Sequence, residues 1–250
     1  MKNDDTQMTF WEHLDVLRGS IIRMVVAAVV LAVGAFCLKE PLFNIVLAPK
    51  DSNFITYRWL GGEPFSINLI NTGLTEQFMI HLKVALMVGI LVASPYILYL
   101  LFRFIAPALY ENERRYSVRI TVAAYAMFLV GVLVNYFIIF PLTVRFLGTY
   151  QVSDTVSNML TISSYIDTMM MMSFIFGIIF EIPVISWLLA VFGLLKASWM
   201  SQYRRHAVVG ILILSAAITP TGDALTLIIV SLPIWLLYEV SILIVKISEK

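Results

Sequence analysis

Four stretches of this sequence, at residues 21–38, 78–102, 120–140 and 165–195, are apolar for long enough to cross a lipid bilayer, and no other feature constrains the chain as much. A helix rises about 1.5 Å per residue, so roughly 20 apolar residues span the ~30 Å hydrocarbon layer. Inside that layer no water is available to bond the backbone, and continuous apolar runs of this length satisfy it as helices. Composition agrees: of 250 residues, 60% are hydrophobic and 13% charged, too little polar surface to cover a soluble globule. The expected class is an all-α polytopic membrane protein.

The last third is less regular. Residues 207–218 and 225–237 are each apolar but short, and they flank TPTGD, a turn signal through its Pro and Gly. At about 1.5 Å per residue each would cover only ~18–20 Å. They read as two short spans that thin the bilayer around them, or alternatively as a re-entrant hairpin. Both readings return the C-terminus to the same side. The expectation is six transmembrane helices, the last two short.

Lysine and arginine set the orientation. Twelve of them fall on the N-terminal segment, the 103–119 loop, the 196–206 loop and the C-terminal tail; Lys39, Lys50, Arg58 and Arg145 lie on the opposite side. By the positive-inside rule both termini face the cytoplasm. The chain then reads as one transmembrane domain over 1–250, with a cytoplasmic segment 1–20, external loops 39–77 and 142–164, and cytoplasmic loops 103–119 and 196–206. The first eighteen residues lack the apolar core and cleavage site of a secretory signal peptide, so the first apolar run is expected to remain as an anchor. Pro95, Pro183 and Pro233 fall inside spans and Pro141 is expected to end the third. Each removes a backbone donor, and bent helices would build a cupped, concave bundle.

Several function classes are excluded. There is no HExxH, no GxSxG and no glycine-rich phosphate loop. His13, His81 and His206 stand on separate segments without metal-ligand spacing, so neither an enzyme nor a metal or other cofactor is expected. A net charge of +1 offers nothing to nucleic acid. The single cysteine, Cys37, can form no internal disulfide.

The remaining signals are isolated charges. Glu181, in FGIIFEIPVISW, lies deep in the fourth apolar run, where a charge costs on the order of 3 kcal/mol. It is either a protonated acid bonded between helices or a polar spot on a face that binds or passes something. Lys83 can snorkel outward from the second run, Asp223 suits an N-cap, and Met169–Met172 suits lipid-facing or packing surface. The loop FIAPALYENERRYSVR is the most charged place between two spans. Phe104 and Tyr110 flank Pro107, which stiffens it, and Glu113 stands beside Arg114 and Arg115. A carboxylate presented there can take a guanidinium bidentately, as a basic peptide lying along a membrane would require.

In sequence, SPYILYLLFRFIAPALYENERR at 94–115 closely resembles the second span and first cytoplasmic loop of the TatC family, the receptors of the twin-arginine protein translocase. HLDVLR, His13 to Arg18, is similar to that family's His-Leu-x-Glu-Leu-Arg; FEIP at 180–183 resembles its fourth-span motif, and 219–239 its last hairpin. The similarity runs in order over nearly the whole chain. It implies a receptor in the cytoplasmic membrane, powered by proton-motive force, that binds twin-arginine signal peptides of folded cargo. Partners would be TatA/TatB-type single-span proteins, further copies of itself and membrane lipid. By the family's pattern Glu113 would bind the arginine pair, with Phe104, Pro107 and Tyr110 shaping the site; Glu181 would be the polar group of the concave face, and Asp223 would lie near the partner-binding region. One departure stands out. The family's N-terminal glutamate falls at Val16, leaving Glu12, 40° away on a helix, or Asp15, adjacent but 100° away, as the substitute acid. The reading from another class is a proton-coupled small-molecule transporter using Glu181 and Lys83.

Overall fold

The computed structural model describes residues 10–61, 65, 67–105, 117–150, 153, 159–219 and 223–249, leaving aside the side chains of 10, 12, 13, 105 and 117–119. It is helical almost throughout. In order come α1 (Phe10–Phe36), α2 (Lys39–Leu47), α3 (Ile55–Leu60), α4 (Glu76–Ile105), α5 (Ser117–Val134), α6 (Phe140–Thr149), α7 (Ile162–Ile179), α8 (Ile182–Val191), α9 (Ala197–Gln202), α10 (Arg204–Ile218) and α11 (Ala224–Ser248). Among the described residues five helical segments are long and apolar enough to cross a membrane: Leu14–Phe36, Glu76–Phe104, Ile120–Thr149, Ile162–Val191 and Ala224–Ser248.

The chain divides into two compact units, one of 1–39 with 82–125, the other of 40–81 with 126–250. In the first, α1 and α4 meet through small residues. Ala28, Ala32 and Ala35 are buried on α1, and a Cβ placed on Gly89 of α4 would stand 2.6 Å from both Ala28 O and Ala32 N. Only hydrogen fits there, so the backbones approach closely, as small residues allow in membrane helices. The second unit repeats the device. A Cβ on Gly131 would meet Phe176 O at 2.5 Å, and one on Gly177 would meet the Phe128 ring at 2.6 Å. One turn beyond those contacts Asn135, fully buried, donates from its amide nitrogen to Ser173 Oγ at 2.8 Å.

Proline shapes both units through the carbonyl it leaves without a donor. Pro95 has no N–H for Leu91 O; Ser94 Oγ donates to that carbonyl instead, at 2.7 Å. Pro141 likewise fails Phe137 O. Contrary to expectation it does not end its helix: Asn135–Ile139 widens into a π turn, closed by Phe140 N–H on Asn135 O, and α6 carries on beyond it. The carbonyl of Phe137 takes a hydrogen bond from Thr56 Oγ1, which pins α3 to the span. Beside it the buried Tyr57 hydroxyl reaches Pro49 O at 2.8 Å and Pro141 O at 2.9 Å, one proton serving two carbonyls. Burial pushes this hydroxyl well above the ordinary tyrosine range, with Arg145 opposing, so it stays a neutral donor. Residues 49–57 of the 39–77 segment are therefore tied to the span.

Two further expectations change. The chain is not wholly α: Leu69–Ile70 pairs in parallel with Leu160–Thr161, strands too short to carry an alternation that sequence could show. The last helix is also not short. α11 covers 25 residues against the 225–237 expected, while α10 covers 15. The extension is held by polar contacts: Tyr238 donates to Met200 O at 2.8 Å, and Glu249 Oε1 accepts from Ala197 N, the first residue of α9, at 2.7 Å. Apolar packing of Ala197 and Met200 on Ile242 and Val245 completes it.

If Thr56 stands in for the donor that Pro141 lacks, the two residues are coupled. Thr56→Val should destabilise the protein by about 1–3 kcal/mol by leaving a buried carbonyl unsatisfied. In a Pro141→Ala background, where an N–H is restored, that loss should shrink. Unfolding of the four proteins in detergent measures the coupling, and strict additivity rejects it.

Candidate functional site

The first unit carries the N-terminal motif and one flank of the charged loop. HLDVLR lies wholly within α1, so positions 12 and 16 project 40° apart, as regular helical geometry requires. Asp15, Val16 and Arg18 are exposed, and Ser20 Oγ donates to Val16 O at 2.9 Å one turn on. The side chains of Glu12 and His13 lie outside the described residues, as do Pro107, Tyr110, Glu113, Arg114 and Arg115. Phe104 is described, half-buried at the end of α4, and Arg103 beside it is exposed.

α2 and α3, of 9 and 6 residues, are too short to cross a bilayer, so α1 and α4 are successive spans and run antiparallel. The Gly89 contact fixes their register. Counting as far back along α1 from Ala28 and Ala32 as one counts forward along α4 from Gly89 to Phe104 arrives at 13–17. The N-terminal motif and Phe104 therefore share one end of the unit. Residues 106–116, which follow α4 in sequence and precede α5 at Ser117, lie outside the described residues.

The second unit holds the intramembrane acid. α7 stops at Ile179 and α8 resumes at Ile182, because Pro183 cannot donate to the carbonyl four residues back. Glu181 sits in the break: its N–H reaches Ile178 O at 3.0 Å and its carbonyl accepts from Ile185 N at 2.9 Å. The residue is 7% exposed, and neither carboxylate oxygen has a partner among the described residues. An ion left there would be uncompensated, so the residue needs a proton or an incoming polar group. Asn135 Oδ1 is also buried without a partner. That residue was legible as the one amide in the 120–140 run, yet sequence reasoning passed over it.

Asp223 is an N-cap: its Oδ1 accepts from Thr226 N at 2.7 Å, at the head of α11. Lys83 is exposed in the second turn of α4. Sequence reasoning also missed the Arg204–Glu239 ion pair at 2.8 Å, which no spacing within one helix would reveal. Among the described residues no three His, Cys, Asp or Glu side chains group as a metal site.

Several known proteins are similar to this chain. A family profile, Sec-independent protein translocase protein (TatC), matches residues 12–233. The TatC protein of Carboxydothermus hydrogenoformans is 33% identical, over 97% of this chain and 95% of its own. TatCy of Bacillus subtilis is 30% identical, over 96% and 89%. A crystal structure described as twin-arginine translocase receptor TatC superposes with a TM-score of 0.79 at 31% identity, covering 96% of this chain and 100% of that one.

The register of α1 against α4 rests on one hydrogen atom. Gly89→Ala should lower apparent stability by about 1–3 kcal/mol, because backbone atoms, not a flexible side chain, stand in the way. Gly34→Ala, where nothing lies within 4 Å, should be neutral or slightly stabilising. Thermal unfolding in one detergent compares them.

Proposed function

Because the chain belongs to the Sec-independent protein translocase (TatC) family, we propose that it is the translocase subunit that receives twin-arginine signal peptides of folded proteins. Membership makes it a multi-pass membrane protein and a component of a translocase that works with other Tat subunits. The finer reading is ours. It is a core of six spans, α10 supplying the sixth, with both termini cytoplasmic, forming one cupped domain in the inner membrane. It recruits TatA/TatB-type single-span partners, associates with further copies of itself, and moves cargo at the expense of proton-motive force, without covalent chemistry.

The observation that carries this reading is the shared end of the first unit. HLDVLR on α1 lies at the same end as Phe104 on α4, and the sequence that follows Phe104 holds Glu113; in this reading acids from two parts of the chain serve one peptide. A pair of guanidinium groups at a membrane surface calls for more than one carboxylate. In this reading Glu113 takes the arginine pair, with Phe104, Pro107 and Tyr110 shaping the contact and Arg114 and Arg115 beside it. His13, Arg18 and an acid at Glu12 or Asp15 complete the site. Glu181 offers a polar spot to the passing chain, and Asp223, beyond capping α11, lies near the partner-binding region.

Glu113→Lys should abolish binding of a twin-arginine peptide in detergent while leaving thermal unfolding unchanged, since in this reading its carboxylate serves the peptide and not the fold. Wild-type affinity in that variant would remove Glu113 from the site. With α1 helical through 12–18, Glu12→Ala should weaken peptide binding more than Asp15→Ala, by about 1–2 kcal/mol, and Val16→Glu should restore it. The reverse order would assign the second acid to Asp15.

Glu181 separates reception from proton transfer. Glu181→Gln should fold and largely transport, because the amide keeps a polar group in the break; Glu181→Leu should transport worse. Equal loss in both variants, read as export of a folded reporter, would show that the position must ionise.

A further inference from the structure

Trp59 is the most exposed tryptophan among the described residues, at 83%. It stands on α3, whose other side is fully engaged. Thr56 and Tyr57 are buried, bonded to Phe137 O, Pro49 O and Pro141 O. The Phe54 ring stacks on Phe137 at 5.8 Å. The free side presents Ile55, Trp59 and Leu60, with Arg58 exposed beside them. An apolar face of this kind on a water-bathed loop would be unfavourable.

The span to which α3 is bonded fixes its depth. Between Arg119 and Arg145 this span carries no charge. From Ile120 to Phe137 is about 25 Å at ~1.5 Å per residue, close to the far edge of a ~30 Å hydrocarbon layer. Arg145, two turns beyond Phe137, marks the headgroup level. Its guanidinium lies 6.0 Å from the Tyr57 ring centroid and 5.7 Å from that of Phe65. α3 is therefore held between the last hydrocarbon turn and the first charged one. Phe137 and Ile138, on the span itself, are exposed at the same level. The apolar face of α3 continues that lipid-facing surface outward.

We propose that α3 is an interfacial membrane anchor, with Trp59, Ile55 and Leu60 resting in the headgroup–acyl boundary of the surrounding phospholipid and Arg58 reaching its phosphates. Tryptophan favours this boundary because its ring is apolar while its N–H seeks a polar partner. Arginine there meets phosphate bidentately. The anchor is independent of how signal peptides are received. It ties the 39–77 segment to the bilayer on one side as Thr56 and Tyr57 tie it to protein on the other.

The chain has five tryptophans, so the test uses a variant in which the four others are replaced by Phe, reconstituted in phosphatidylcholine vesicles. With bromine on the acyl chains near the headgroup, Trp59 emission should be largely lost. With bromine near the chain ends the loss should be smaller, and acrylamide in the water should quench little. Should the multiple variant not fold, the difference between the native chain and Trp59→Phe in the same vesicles gives the same reading. Emission indifferent to bromine and open to acrylamide overturns the proposal. So does emission shielded from both quenchers whose shielding is lost when the protein is diluted among vesicles, since a second copy would then cover the face.

Discussion

A carbonyl that loses its donor inside a bilayer must find another, and much of this structure follows from that requirement. Water can satisfy such a group in a soluble protein; hydrocarbon cannot. At Pro95 the repair is local, with Ser94 of the same helix supplying the proton to Leu91 O. At Pro141 it comes from far along the chain, and Thr56 reaches Phe137 O across 81 positions of sequence. One proline thus fixes a helical widening, the seat of α3 and the course of the segment between the first two long spans.

Close helix approach is the second organising constraint. Lipid chains are as apolar as leucine, so burying apolar side chains between membrane helices gains little over leaving them in lipid. Contact must come from shape, and glycine provides it. Gly89 lets α4 lie on the α1 backbone, and Gly131 and Gly177 bring α5 and α7 together. The Asn135–Ser173 bond, wholly buried, fixes the register of the second pair. In the first unit the same closeness sets HLDVLR and Phe104 at one end.

Polar contacts at the ends of helices extend what apolar runs begin. Beyond Leu237 the last helix carries Glu239 and Lys246, and Glu249 is its C-cap. It stays ordered because Glu239 meets Arg204 and Glu249 caps α9. The Arg204–Glu239 pair is too exposed to contribute much energy. Its value is geometric: together with Tyr238 it joins the 196–206 loop to the last span.

The sequence alone determined the membrane class, the positions of four long spans and the Asp223 cap, because each depends on composition within one segment. Hydrophobic length dictates a span whatever its neighbours are, and a four-residue motif carries its own cap. The family resemblance was legible for the same reason, its motifs being local and in order. What the tertiary structure decided were the relations between segments. Pro141 looked like an end and proved to be a π turn, because its missing donor is replaced from α3. The last helix outran its apolar stretch, because its partners lie on α9 and α10. A two-residue strand pair and an ion pair across distant helices left no periodic trace. The pairing of α1 with α4 depended on one glycine that sequence could count but not place, since a close approach belongs to two backbones at once.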